Sequence, residues 1–164
     1  MNVNDALQTT IRNMTPQQLF DTIYRDHLTQ VLNRRAFEAI VSPRQIVAII
    51  DLDSLKYLND TYGHRTGDSA LKELAYWLVR ASSREDVYRL SGDEFAVTNP
   101  SIEKLERVRG LFPGFSYGID RGLDKADQQL RVDKTEREAS GLRAPRGVCP
   151  PWLNGRADPD WMQP

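Results

Sequence analysis

The sequence predicts a mixed α/β (α+β) fold in which one sheet is flanked by helices, and three observations support this. The first is the almost wholly β-branched run Ile46-Val47-Ala48-Ile49-Ile50, a strand apolar on both sides and therefore interior to its sheet. The second is the pair Val87 to Leu90 and Phe95 to Val97, separated by Ser91-Gly92-Asp93-Glu94, which reads as an antiparallel hairpin with an acidic tip. The third is the three- and four-residue apolar spacing of the segments between strands. Helices and strands alternate along 164 residues, the length of one ordinary domain.

Met1 to Thr10 lacks a basic start followed by an apolar core, so no export signal is expected and the cytoplasm is the predicted compartment. Thr15, Pro16 and Gln18 mark a helix start, with Thr as N-cap, Pro at the first position and Gln reaching back to the cap. Leu19, Phe20, Ile23, Tyr24 and Leu28 give that helix one apolar face, suited equally to the chain's own domain or to a second copy. After a polar break at Asp26 to Thr29, a second helix capped by Asn33 runs through Phe37 and Ile40 and stops before Pro43.

Beyond the Ile46 strand a polar segment with Gly63 and Gly67 leads to Asp68, read as preceding a third helix whose Leu71, Leu74, Ala75 and Leu78 cover the sheet. Gly92 is expected to supply the backbone freedom of the hairpin tip. Ile102, Leu105, Val108 and Leu111 mark a fourth helix, Phe115 to Ile119 a strand, and Leu123, Ala126 and Leu130 the start of a last helix. From Arg143 onward fall five of the nine prolines, which predicts an irregular tail whose Trp152 and Trp161 dock on the domain, with a partner-binding tail as the alternative. The expected division is a leader and helix over 1–25, a core domain over 26–142 and a tail over 143–164.

Lys and Arg total 22 against 23 Asp and Glu, and the resulting net charge of −1 argues against a nucleic-acid or anionic-membrane binder. Cys149 is the single cysteine, so no intrachain disulfide is available, and no Cys/His cluster suggests zinc. The longest clearly apolar run, Ile46 to Ile50, is far short of the roughly 20 residues that span a bilayer.

Chemistry concentrates where strands end. Asp51, closing the central strand, and Asp93, at the hairpin tip, are placed to hold magnesium or manganese over nucleotide phosphates, because these hard cations prefer oxygen ligands. An Asp-x-Asp after a strand is by itself weak evidence, since strand ends more often carry Asp for solvation or turn formation.

Three ordered motifs narrow this. Asp26-His-Leu-Thr-Gln-Val-Leu-Asn-Arg-Arg-Ala-Phe37, Asp51-Leu-Asp-Ser-Leu-Lys-Tyr-Leu-Asn-Asp-Thr-Tyr-Gly-His-Arg-Thr-Gly-Asp68 and Arg89-Leu-Ser-Gly-Asp-Glu-Phe95 resemble the successive signatures of GGDEF domains. The resemblance, spanning about Asp26 to Ala126, implies a palm-like nucleotidyl cyclase fold with a mostly antiparallel central sheet. It also implies diguanylate cyclase chemistry, in which two GTP molecules give cyclic di-GMP and two pyrophosphates at a homodimer interface. Carried over residue by residue, it makes Asp51, the backbone carbonyl of Leu52 and Asp93 the metal site for Mg²⁺ or Mn²⁺. Asp93 is also the candidate for activating the attacking 3′-hydroxyl, with Glu94 supporting the metal and Lys56 neutralising phosphate. Asn59 and Asp68 match the guanine-reading positions, and His64 borders the nucleotide. Gly63 and Gly67 fit close backbone approach. Asp68 is also a natural helix N-cap, Lys56 a natural solvated lysine, His64 a natural turn residue, and Gly63 and Gly67 natural turn glycines.

The chain also departs from the family. Ser91 replaces the usual first glycine of the hairpin signature, and Ser82 and Glu85 stand where an inhibitory Arg-x-x-Asp is often found, so feedback through that site is not expected. Phe95 to Ser116 is short, with room for one helix and few extra strands. Lys134 falls at a phosphate-binding position, but Glu138 stands where an arginine is usual and Arg137 lies one place early, a rotation of about 100° on a helix. With only Met1 to Arg25 before the first motif, a stand-alone domain is expected. The sequence therefore supports a metal-dependent diguanylate cyclase, with a catalytically inactive GTP-binding or protein-interaction module as the alternative.

Overall fold

The apolar run becomes β2 (Ile46–Leu52), the interior strand of a five-stranded sheet in a computed structural model that describes residues 2–153. Its other strands are β1 (Leu32–Asn33), β3 (Val87–Ser91), β4 (Glu94–Thr98) and β5 (Phe115–Arg121), in the order β1-β3-β4-β2-β5. β2 pairs antiparallel with both β4 and β5, β3 with β4, and only the short β1 runs parallel, beside β3. Val47 to Ile50 are buried as predicted and burial continues through Asp51 and Leu52, but Ile46 is exposed because it lies at the strand's outer end.

The helices are α1 (Val3–Arg12), α2 (Pro16–Tyr24), α3 (Arg34–Ile40), α4 (Leu55–Tyr62), α5 (His64–Ala81), α6 (Ile102–Leu111) and α7 (Leu123–Ala139). The Thr15–Gln18 capping box forms in both directions, and Asn33 caps α3 through the Ala36 N–H. Phe20 and Tyr24 turn the α2 face toward the chain's own core, whereas Leu19 stays exposed and Leu28 packs from the turn that follows. The sequence reading missed α1, whose Val3, Leu7 and Ile11 form an exposed apolar stripe.

Alternation along β2 sorts the core into two layers. Ala48, Ile50 and Leu52 meet Leu58, Leu71, Leu74 and Leu78 of α4 and α5 and Leu105 and Val108 of α6. Val47 and Ile49 meet Ala36 and Phe37 of α3 and Ala126 and Leu130 of α7. Gly118 of β5 lets α7 come this close: a Cβ there would stand 2.1 Å from Leu130 N and 2.3 Å from Ala126 O. Between β4 and β5 the chain forms the single helix α6, so β5 is an edge strand. Its Tyr117 N–H donates to Asp133 of α7 at 2.9 Å, and Arg109 of α6 grips the same carboxylate at 2.8 Å. A side chain thus covers part of the edge, which reduces its availability for pairing.

Two details correct the sequence reading, and a third decides between its alternatives. The segment before Asp68 is helical, so Asp68 lies in the second turn of α5 and is not its N-cap. Of its two readings, Gly67 takes the close approach: it is a contact point inside α5, where a Cβ would stand 2.0 Å from Asn59 Oδ1. Gly92 does not take a positive φ; the strands extend to Ser91 and Glu94, and a register shift between Arg89 and Ser91 makes the tight turn. In the tail, Trp152 docks as expected, buried against Phe112 and over Gly114, while Trp161 lies outside the described residues. Among the described residues no helix is long and apolar enough to cross a membrane.

Candidate active site

α7 runs along β2 on the sheet face that carries the odd-numbered residues of the strand. Its inward residues change character in step with those beneath. Ala126 and Leu130 cover Val47 and Ile49, then Lys134 Nζ reaches Asp51 Oδ2 at 2.8 Å, and Arg137 reaches Asp53 Oδ2 at 3.2 Å. The helical repeat thus converts an apolar contact into two cation–carboxylate contacts within three turns.

The hairpin tip closes on this strand end. Leu52 N–H donates to the Asp93 carbonyl at 3.0 Å, and Asp51 stands directly across from Glu94 in the β2–β4 register. Cross-strand partners share a face, so Glu94 lies on the Asp51 side of the sheet, and the negative charges of Asp93 and Asp53 bear on Asp51 itself. Arg89 fixes the tip: it donates to the Gly92 carbonyl at 2.7 and 3.2 Å and to Asp26 at 3.0 Å, and Asp26 accepts from Thr29 N and Oγ1. The sequence reading quoted Asp26 and Arg89 within the motifs and gave them no role. Their separation along the chain hides that they are one clamp.

Asp51 is almost buried. Burial pushes its carboxyl up to about 6; Lys134 opposes this through hydrogen bonding and charge, and the charges of Asp93 and Asp53 add to the rise. Asp53 is more deeply buried, at 1% exposure, and its oxygens accept from Ser116 Oγ at 3.0 and 3.2 Å, from Arg137, and from Arg143 Nε at 2.9 Å. Its N–H donates to Gly114 O at 2.8 Å. Arg137 also donates to Pro113 O at 2.8 Å and is itself buried, so it points into the domain and not toward a phosphate position. Sequence reading missed this role for Asp53 and for both arginines; the Asp-x-Asp spacing was the available signal.

The nucleotide-reading candidates lie on the next two helices. Ser54, in the left-handed region at φ +66°, turns the chain from β2 into α4. Lys56 is exposed and pairs with Asp60 at 2.6 Å, as a solvated lysine does. Asn59 is on α4, with its amide over Gly67, immediately before exposed Asp68 on α5. His64 is exposed at the first position of α5. Glu94 accepts from Ser91 Oγ at 2.7 Å, so the serine that replaces glycine holds a side chain of the signature itself. The structure therefore brings Asp51, Leu52, Asp93, Glu94 and Lys134 together. It sets Asn59 beside the Gly67–Asp68 step and leaves Lys56 and His64 at the surface.

The donor set suits a hard divalent ion. Asp51 and Asp93 supply oxygens, and among the described residues no three acidic, His or Cys side chains enclose a metal on their own, so coordination would be shared with the Leu52 carbonyl, water and phosphate.

A family model described as "Diguanylate cyclase, GGDEF domain" matches residues 23–111, more than half of the chain. The chain belongs to the GGDEF domain family. It is 37% identical over 104 residues to diguanylate cyclase DgcN of Escherichia coli (strain K12), covering 57% of this chain and 26% of that relative. It is 35% identical over 130 residues to diguanylate cyclase DosC of the same organism, covering 60% of this chain and 28% of DosC. The chain thus spans about a quarter of the length of the curated relatives it matches, and a share of the aligned DosC positions has no counterpart here. Among solved structures, Pseudomonas aeruginosa diguanylate cyclase SiaD, in complex with its activator SiaC, superposes with TM-score 0.59 at 25% identity, covering 82% of this chain and 66% of SiaD. The coiled coil and GGDEF domain of Caulobacter crescentus DgcB, in complex with c-di-GMP, gives TM-score 0.60 at 18% identity, covering 85% and 93%, a likeness of fold alone.

Proposed function

We propose that this GGDEF domain is a metal-dependent diguanylate cyclase that condenses two GTP molecules into cyclic di-GMP and two pyrophosphates. The observation that carries the reading is the meeting of Asp51, Leu52, Asp93 and Glu94 at one strand end beneath Lys134. Asp51, Asp93 and the Leu52 carbonyl would hold Mg²⁺ or Mn²⁺, which when bound offsets charge on the α-phosphate and lowers the proton affinity of the attacking 3′-hydroxyl.

The chain's own residues supply the rest. Asp93 accepts the 3′-hydroxyl proton as that oxygen bonds to the α-phosphorus of the facing GTP and the bond to pyrophosphate breaks; the same exchange at the second site closes the ring. Lys134 and Lys56 neutralise the triphosphate, and Glu94 supports the metal carboxylates. Asp68 accepts from the guanine ring N–H and exocyclic amine, Asn59 reads the base edge, and His64 borders the nucleotide. Each site takes one GTP, so two chains must face each other as a homodimer.

The commitment of Arg137 to Asp53 favours a second reading, a domain that binds GTP without turnover. The test is to incubate the protein at high concentration with GTP and Mg²⁺ or Mn²⁺ and identify products by mass. The cyclase reading predicts cyclic di-GMP from the wild type and none from folded Asp93→Ala. GTP binding by calorimetry with no product from the wild type would establish the second reading instead.

A further inference from the structure

Lys134 and Arg137 both hold a carboxylate of the same turn, but in different ways. Arg137 is buried, its guanidinium shared among Asp53, the Pro113 carbonyl and the Leu142 carbonyl, and Arg143 holds the other Asp53 oxygen. A planar, multiply bonded guanidinium of this kind is fixed. The Lys134 side chain is 27% exposed and has one partner, Asp51 Oδ2 at 2.8 Å. A point charge on a flexible stem with one partner is exchangeable. Because both arginines are engaged by Asp53, Lys134 is the cation that α7 presents to the strand end.

We infer that Lys134 acts as a resident counter-ion at the metal site, occupying Asp51 until nucleotide arrives and then moving from the carboxylate to the triphosphate. This rests on the cyclase reading of the site. An ammonium at 2.8 Å and a divalent ion at about 2.0–2.1 Å compete for one carboxylate, because two cations so close repel strongly where water is largely excluded. Displaced without an anion to receive it, Lys134 would lose its one partner among the described residues; a triphosphate supplies a new one. Metal and nucleotide therefore favour each other's binding, and the coupling runs through this one side chain. The acidic neighbours Asp93 and Asp53 around buried Asp51 explain why a resident cation suits the site before the metal binds.

The test measures Mn²⁺ binding to the full chain by the electron paramagnetic resonance signal of free Mn²⁺. A second arm measures calorimetric binding of the Mn²⁺ complex of α,β-methylene GTP, which has no bridging oxygen to cleave. Lys134→Met is expected to bind Mn²⁺ alone about tenfold more tightly than wild type and the Mn²⁺–nucleotide complex more weakly. Lys134→Arg, which keeps a cation there, retains weak Mn²⁺ binding, and Asp51→Asn abolishes it. The opposite signs matter, since a lysine that merely supported the fold would weaken both when removed. Unchanged or weaker Mn²⁺ binding by folded Lys134→Met overturns the inference and leaves the cyclase reading standing. Absence of Asp51-dependent Mn²⁺ binding in every variant, even with nucleotide, overturns both.

Discussion

Asp51 and Asp53 stand two residues apart, on the same face of the sheet and under the same helix, yet their surroundings are opposite. Asp51 faces Glu94 and the hairpin tip, takes one exchangeable lysine, and carries a carboxyl pushed up to about 6, first by burial and then, against Lys134, by its acidic neighbours. Asp53 takes two arginines and a serine hydroxyl and is sealed from solvent. An under-compensated carboxylate is a site for an incoming cation, whereas a fully bonded one holds backbone together. The Asp-x-Asp thus divides, in this chain, into one carboxylate with a single lysine partner, the proposed place of chemistry, and one bonded into the architecture.

The largest break in that contrast comes from removing the architectural member. Asp53→Ala strands two guanidinium groups, one of them buried, and is expected to cost about 3–5 kcal/mol in urea unfolding; a loss below about 1 kcal/mol would show that the cluster does not brace the turn. Trp152→Ala removes the ring that covers Gly114, whose carbonyl holds the Asp53 N–H, and should cost about 3 kcal/mol by the same measurement.

Gly67→Ala moves the test to nucleotide reading. A methyl group 2.0 Å from Asn59 Oδ1 must displace that amide, so GTP affinity should fall by about tenfold in calorimetry while affinity for Mn²⁺ alone holds. Unchanged GTP affinity would remove Asn59 from the site.

The pH dependence sharpens the Asp51 side. With its folded value near 6 and its unfolded value near 4, Asp51 holds a proton in the folded state that the unfolded chain has released between those limits. Its contribution to stability therefore grows as pH falls from about 6 to about 4 and is an unfavourable term above 6. Mn²⁺ affinity moves the other way, weakening by up to about tenfold per unit below pH 6, because the proton and the metal compete for the same oxygens. An affinity flat from pH 7 to 5 would contradict this. The smallest effect is that of Ser91→Gly, which frees Glu94 from one exposed hydrogen bond and should shift stability by no more than about 0.5 kcal/mol in thermal unfolding.

Much of this architecture is legible in the sequence. The β-branched run placed β2, the Thr15–Gln18 and Asn33 caps placed α2 and α3, and three ordered motifs placed Asp51, Asp93 and Glu94 at one strand end. What escaped were features that depend on contacts between distant segments. Thr-Tyr-Gly-His reads locally as a turn, and only packing of Asn59 on Gly67 shows α4 and α5 meeting there. Arg137 sits one position before the expected phosphate-binding place, and its burial onto Asp53 requires knowing that α7 lies along β2. Arg143 is 90 residues from the carboxylate it holds, beyond the reach of any periodicity. The amphipathic α1 was missed because its polar residues hid a stripe spaced by four.

Asp51→Asn tests the central division most directly, with cyclic di-GMP formation and unfolding free energy measured on the same preparation at pH 8. Product is expected to disappear while stability is kept or raised, because an unfavourable buried charge is gone. Product formation retained, or a fold lost along with it, would contradict the assignment of chemistry to Asp51 and architecture to Asp53.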